Sequence, residues 1–305
     1  MVSQHPDHAS VPYWKVKSEE GRVKRGERNL AFISTAEETE ELFLSFSDLG
    51  VSEYKWDWEG KLVDESVIER LLSQYFDYFK KNPLGQKKFL TFRLPNPWVE
   101  TEFRFGRSLM NLISGAAMAT SFKLPEDTPL FEVILPMTTK AQEMIAIHEA
   151  FIEIASLKHE LFRMNKTPLK SIKVIPLFED IRTIINSDKI LKEYLTLFQK
   201  KFNRLPAYLR TYVARSDPAL NSGLVPTVLA IKIALSRFRK FELQHNFKLF
   251  PIIGSASLPF RGGLTPLNVE EFASEYAGIR TALIQSAFRY DYPKKEVING
   301  IKKLD

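Results

Sequence analysis

Acidic and basic residues recur at one kind of place in this sequence, just after a short, nearly continuous apolar run. Glu179 and Asp180 follow IKVIPLF, and Asp217 follows YLRTYVARS with Arg215 beside it. Arg93 closes FLTFR. Ser255 closes LFPIIGS, and Ser257, Arg261, Gly262 and Gly263 follow it. Pro136 and Thr138 close EVILPMTT, while Gln285 and Arg289 close the last run. Carboxylates on successive strand ends can share a hard divalent cation while leaving positions for water and substrate. An oxygen donor set without cysteine favours Mg²⁺ or Mn²⁺ over zinc. Arginines converging from other strands supply paired donors for phosphate or carboxylate. Glycines flanking Arg261 allow backbone amides to approach an anion. The joint expectation is a site for a small, multiply anionic substrate held on a metal.

Each residue also has a plainer explanation. A carboxylate after a strand often caps the next helix or sits in its first turn. Arg93 alone could be a structural salt-bridge partner, and a Gly pair after Arg marks many ordinary turns. The histidines separate in a similar way. His148 falls on the apolar stripe of a helix and reads as a satisfied core residue, whereas His159 and His245 lie in polar helical stretches. His8 has no evident role, and His5, in SQHPD, reads on composition as part of a loose terminus.

The elements that must position these groups follow from periodicity. FLTFR (89–93), FEVILP (131–136), IKVIPLF (172–178), YLRTYVARS (208–216), LFPIIGS (249–255) and GIRTALIQSAF (278–288) read as strands buried on both faces. Between them run stripes at helical spacing. One joins Val67, Ile68, Leu71, Leu72, Tyr75, Phe76 and Phe79. Others lie over 109–117, 144–155, 190–202 (with Ser187 or Asp188 as cap) and 225–238. Strands recurring about every 30 to 42 residues describe strand-plus-crossover-helix units. A parallel sheet follows, open or closed as a (β/α)8 TIM-type barrel with extra helices. Six units are visible where eight close a barrel, so the single domain over 1–305 looks two units short, with the C-terminal part of the barrel expected to be missing.

Composition narrows the function classes. The 305 residues are 44% hydrophobic with 23 Phe, enough for a large core, and contain no cysteine for disulfides or thiolate ligands. No run of eighteen apolar residues or signal-peptide pattern occurs, so a cytoplasmic protein with no membrane partner is expected. The net charge of +6 fits an anion-binding cleft. Lys15, Lys17, Arg22, Lys24, Arg25 and Arg28 fall in an aperiodic basic stretch, 9–31, read as a mobile loop. Without aromatic interleaving or a zinc spacing, nucleic acid is not an expected partner.

The ordered motifs SQHPDHASVPYW, KWDWEGK, TFRLPNPWVE, EVILPMTT, VIPLFED, ARSDPALNSG, GSASLPFRGGLTPLNVE and QSAFRYDYP resemble those of archaeal-type phosphoenolpyruvate carboxylase, from His5 to about Pro293. The resemblance implies an α/β barrel that joins phosphoenolpyruvate and bicarbonate into oxaloacetate and phosphate, without biotin. It implies His5 as general base, Arg261 as catalytic arginine, Glu179 and Asp217 as Mg²⁺ or Mn²⁺ ligands, and Arg93 as an anion-binding group. Ser255, Gly262 and Gly263 complete the expected substrate-binding set. In the family's mechanism bicarbonate attacks phosphorus, His5 takes the carboxyphosphate proton, and the enolate captures the released CO2. A homotetramer is implied as well. Leu220 stands where the plant and bacterial branch carries a lysine, as the archaeal branch implies. Family members extend beyond this chain, in keeping with the count of six units, so a truncated or split chain is expected. The alternatives are a non-catalytic partner of a complete subunit and another metal-dependent lyase of the phosphoenolpyruvate/pyruvate barrel group.

Overall fold

All six apolar runs form parallel strands, and two further segments complete the wall. The computed structural model describes residues 1–4, 35–57, 66–100, 102–121, 132–156 and 171–305. In chain order the elements are β1 (Val2–Gln4), α1 (Thr35–Ser47), β2 (Glu53–Asp57), α2 (Val67–Gln74), α3 (Phe76–Lys81), β3 (Phe89–Arg93), α4 (Glu102–Ser121), β4 (Glu132–Leu135) and α5 (Ala141–Ala155). There follow β5 (Lys173–Phe178), α6 (Ile181–Phe202), β6 (Leu209–Val213), α7 (Ser216–Ser222), α8 (Leu224–His245), β7 (Leu249–Ser255), α9 (Val269–Glu275), β8 (Thr281–Ile284), α10 (Ser286–Tyr290) and α11 (Lys294–Leu304). The strands pair in sequence order into a closed barrel.

The expected count of six units is therefore corrected to eight, and the barrel wall lacks no strand. β1 closes the ring, pairing Val2 with Ala282 and Ser3 with Leu283 on one side and Ser3 with Glu53 on the other. Both missing units were at the N-terminal side, not the C-terminal side, and no strand edge is left open by the ring. β1 has only three residues. β2, EYKWD, defeats a search for continuous apolar runs because Glu53, Lys55 and Asp57 alternate with Tyr54 and Trp56, and all five are buried. The basic stretch 9–31 lies outside the described residues.

Two apolar cores follow from strand alternation. Val133, Leu135, Val174, Phe178, Val213, Ile253 and Ile284 face outward and pack under the helices. Ile134, Ile175, Leu177, Tyr212, Ala214, Ile252 and Leu283 fill the barrel lumen. Below them, near the strand starts, Arg210 bridges two carboxylates. Its Nη1 lies 2.6 Å from both Glu53 Oε1 and Glu132 Oε2, and its Nη2 lies 2.8 Å from Glu53 Oε2. Burial alone would raise the Glu53 pKa, but the Arg210 charge and hydrogen bonds from Arg210 and Thr91 hold it below the usual carboxylate range.

The helix boundaries add one correction. α6 does not start at Ser187 or Asp188, which lie inside it. Asp180 caps it instead, accepting from the backbone N–H groups of Arg182 (2.9 Å) and Thr183 (3.0 Å). No helix among the described residues is long and apolar enough to cross a membrane.

Candidate active site at the carboxyl ends of the strands

Because all strands run in parallel, their carboxyl ends open on one face, and the charged residues gather there. The Asp180 cap explains a division of labour between adjacent carboxylates. Asp180 satisfies the start of α6, which leaves Glu179, on the lumen side of β5, to face the mouth. The Met137 N–H donates to Glu179 Oε2, and Met137 holds this amide in a left-handed turn with φ of 50°.

Glu179 is raised from 4.5 to about 7, chiefly by burial. The Met137 hydrogen bond and the charges of Arg93 and Lys55 oppose the rise, while Asp217 adds to it. Asp217, in the first turn of α7, is thus close enough to repel it. Tyr212 reports the same neighbourhood from below. Burial pushes its hydroxyl up, and so do the charges of Glu179, Asp57 and Asp217, whereas Arg93 opposes them.

Arg93 is 3% exposed and anchored by two carboxylates. Its Nη1 lies 3.3 Å from both Glu100 oxygens, and its Nε lies 3.7 Å from Asp57 Oδ1. Lys55 Nζ sits 2.9 Å from Asp57 Oδ2. Asn96 ties this corner to the next strand end, donating through Nδ2 to the Pro136 carbonyl at 2.8 Å. Its own N–H donates to Glu100 Oε2 at 2.7 Å.

The Arg261 segment is a 3-10 turn, Pro259–Arg261, closed by Gly262 at φ of 111° and Gly263 at 72°. The N–H groups of Gly262 and Gly263 donate to the carbonyls of Pro259 and Leu258, both at 3.1 Å. In this arrangement the glycines shape the turn, and the Arg261 side chain carries its charge to the exposed mouth. There Nη1 donates to Gln285 Oε1 at 3.0 Å. Ser255 is fully buried, its hydroxyl donating to the Arg261 carbonyl at 3.2 Å. It therefore meets the turn from beneath and not the open mouth.

Arg93, Glu179 and Asp217 are thus brought together, and Arg261 reaches the mouth from the β7 side. Arg289 is not part of the cluster, because it pairs with Glu41 at 3.4 Å and Ser45 at 2.9 Å. His5 lies outside the described residues. His148 is a core residue as expected, its Nε2 2.8 Å from the Tyr194 hydroxyl. Lys55, Asp57, Asn96 and Glu100 were missed by inspection of apolar runs. The first two could have been found from the period-two pattern of EYKWD.

Among the described residues no group of three or more His, Asp or Glu is placed to hold a metal ion. The site offers two carboxylates, Glu179 and Asp217, whose mutual repulsion is part of what lifts Glu179. A pair of hard oxygen donors suits a divalent cation with several positions left for other oxygens.

Comparison with known proteins accords with this geometry. The family described as phosphoenolpyruvate carboxylase matches residues 1–305. The Leuconostoc mesenteroides phosphoenolpyruvate carboxylase is 40% identical over 304 residues, which cover 100% of this chain and 58% of that protein. The Pyrococcus horikoshii phosphoenolpyruvate carboxylase is 39% identical over 311 residues, which cover 99% of this chain and 62% of that protein. The chain thus spans about three fifths of the length of these relatives. Among solved structures, the Haloferax volcanii malate synthase lead(II) complex superposes with a TM-score of 0.50 at 8% identity, covering 83% of this chain and 64% of that one, a likeness of fold alone. With the match running the whole length of the sequence, the chain belongs to the archaeal-type phosphoenolpyruvate carboxylase family.

Proposed function

We propose that this chain carries the catalytic barrel of a phosphoenolpyruvate carboxylase, converting phosphoenolpyruvate and bicarbonate to oxaloacetate and phosphate. The observation that carries the reading is the convergence of Glu179, Asp217 and Arg93 at one end of a closed barrel, with Arg261 on the same face, bound to Gln285 at the end of β8. Glu179 and Asp217 would hold Mg²⁺ or Mn²⁺. A divalent ion, when bound, would supply charge stabilisation for an enolate oxygen.

The residues of the chain do the rest. Arg93, fixed by Asp57 and Glu100, would present a positive charge of set direction to one anionic group of the substrate. Arg261 would stabilise the phosphoryl group in transfer. His5, by resemblance, would accept the carboxyphosphate proton, a task suited to an imidazole titrating near working pH. Tyr212 and the apolar lumen close the floor of the site, which limits water that would protonate the enolate to pyruvate. Binding energy at the arginines and proton transfer at His5 are separable functions on this reading.

The test is bicarbonate-dependent phosphate release from phosphoenolpyruvate by the purified chain with Mg²⁺ or Mn²⁺, using labelled bicarbonate. Label in oxaloacetate supports the carboxylase. Turnover of an oxo-acid without incorporation supports the related lyase. A cytoplasmic location and a homotetramer belong to the same proposal, the latter checked by light scattering.

A second reading, catalysis only in company with another polypeptide, is favoured by one observation. Beside Asp217, Leu220, Val225 and Leu229 are 67%, 63% and 55% exposed, an apolar strip along α7 and α8. A folded, metal-binding chain that turns over only when supplied with a second polypeptide would support it.

A further inference from the structure

Arg215 is buried at 3% exposure, yet among the described residues its hydrogen-bond partners are all neutral. Its Nη1 donates to the Phe260 carbonyl at 2.9 Å, its Nη2 to the Pro259 carbonyl at 3.2 Å, and its Nε to the Tyr276 hydroxyl at 3.1 Å. Two of its three nitrogens are thus spent on consecutive carbonyls of the turn that carries Arg261. We propose that Arg215 is the positioning residue for Arg261, locking the turn so that the Arg261 side chain is held over the mouth. The inference rests on the carboxylase reading only for the consequence it assigns to activity.

Strand parity explains why this residue is available. Tyr212 and Ala214 of the β6 column face the lumen, so Arg215 faces away from it, as Val213 does. On the neighbouring strand Ser255 has the same parity as Ile253, and Val213 is the register partner of Ile253. Two residues further along each strand, Arg215 and Ser255 stand side by side beneath the turn. Gly262 confirms the fit. A Cβ there would lie 2.2 Å from Ser255 Oγ and 3.3 Å from Arg215 Cγ, so the turn sits directly on both side chains. Ser255 completes the seat by donating to the Arg261 carbonyl, which also accepts from the Ala256 N–H at 2.9 Å.

A guanidinium suits this task for a geometric reason. Its planar fork can meet two adjacent carbonyls and a hydroxyl at once, whereas an ammonium on a flexible stem is a point donor. An apolar side chain of similar length would leave two part-buried carbonyls without their partner.

The test compares the chain with its Arg215→Met, Arg215→Lys and Arg261→Lys variants. Hydrogen exchange is read at the turn amides of Ala256, Gly262, Gly263 and Leu264, and at β7 and β8 as internal references. Arg215→Met is expected to speed exchange at the turn by about tenfold or more while the strands stay protected. It should also lower kcat/KM for phosphoenolpyruvate on the order of a hundredfold, with KM raised, as Arg261 loses its aim. Arg215→Lys should fall between Met and wild type in both readouts. Arg261→Lys should lose activity with turn exchange unchanged, which separates the lock from the group it holds. Turn exchange in folded Arg215→Met equal to wild type overturns the proposal, as does kcat/KM within twofold of wild type. If Arg215→Met does not fold, unchanged turn exchange in Arg215→Lys overturns it instead. An inactive wild-type chain would defeat the carboxylase reading, while the exchange arm would still decide the role of Arg215.

Discussion

Lowering the pH from 7 to 5 should withdraw the stability contributed by one side chain, His148. Glu179, raised to about 7, shifts the total the other way, so the His148 contribution is read as a difference between two proteins. The ring is 4% exposed, lies 5.2 Å from the Phe198 ring and 5.9 Å from Phe202, and has Nε2 against the Tyr194 hydroxyl. Its pKa is lowered from 6.5 to about 4, first by burial and then by the charge of Arg204. The folded chain therefore refuses a proton that the unfolded chain accepts between those values. The resulting stability is fully present above pH 6.5 and is lost as the pH falls from 6.5 towards 4. Over the full window the linkage amounts to about 3 kcal/mol, and about 2 kcal/mol of it is gone by pH 5. Urea unfolding followed by circular dichroism at pH 7, 6 and 5 measures it, with His148→Gln as the comparison. The variant starts lower at pH 7 because it loses ring packing. The decisive quantity is its smaller decline, flatter than wild type by about 1 kcal/mol per pH unit near pH 5. Parallel pH profiles for the two proteins would refute the assignment of His148 as a buried neutral imidazole.

Four further outcomes follow from the same structure. Arg210→Met leaves Glu53 and Glu132 buried without their partner and should destabilise the barrel by about 3–5 kcal/mol in urea unfolding at pH 7; adding Glu53→Gln and Glu132→Gln should recover part of it, and no recovery would mean that packing, not charge, sets the loss. If Glu179 holds the ion as proposed, Glu179→Gln should abolish Mn²⁺ binding in a calorimetric titration, whereas Asp180→Ala should spare it and cost only about 1 kcal/mol through the lost α6 cap. Because Glu179 titrates at about 7, wild-type Mn²⁺ affinity should weaken roughly tenfold per pH unit below that value as a proton competes with the ion; a flat profile from pH 7 to 5 argues against Glu179 as a ligand. Gly254→Ala places a Cβ 2.5 Å from the Tyr212 hydroxyl and should push that ring up against the acidic cluster, weakening Mn²⁺ binding without unfolding the chain; unchanged affinity would mean that the floor yields elsewhere.

How much of this was legible in the sequence depended on what each strand buries. β3 to β8 announce themselves because both faces are apolar over most of their length, and all six fall within the expected runs. β1 and β2 do not. β2 puts Glu53, Lys55 and Asp57 into a lumen where only paired charges are tolerated, and no local pattern says that Arg210, 157 residues away, waits for Glu53. The strand ends are where the structure gathers charged groups, with Glu179, Asp217 and Arg93 in one cluster and Arg261 on the same face. What the runs could not supply was the direction of each side chain. Ser255 stands at a strand end and the two glycines offer backbone amides to an anion on the sequence reading, whereas the structure sets Ser255 beneath the turn.

That direction was nevertheless present in the sequence as parity. Once Ile175 and Leu177 are known to face the lumen, the count of two places Glu179 in the same column and Asp180 off it. The same step takes Glu53 and Lys55 to Asp57, and Thr91 to Arg93. Asp57, Arg93 and Glu179 each take the next inward position above a packed lumen, which is why these charges can be held rigidly. Asp217 and Arg261 instead reach the mouth from the segments that follow β6 and β7. Arg215 and Ser255 lie off their columns by one residue, and that one-residue offset sends them outward to the turn. A strand end in a parallel barrel therefore supplies two kinds of residue from adjacent positions. Inward positions can reach a ligand in the mouth, and outward positions can seat the loops that cover it. Sequence proximity to Arg261 says nothing about which kind a residue is, whereas its distance in steps of two from a lumen residue decides the matter.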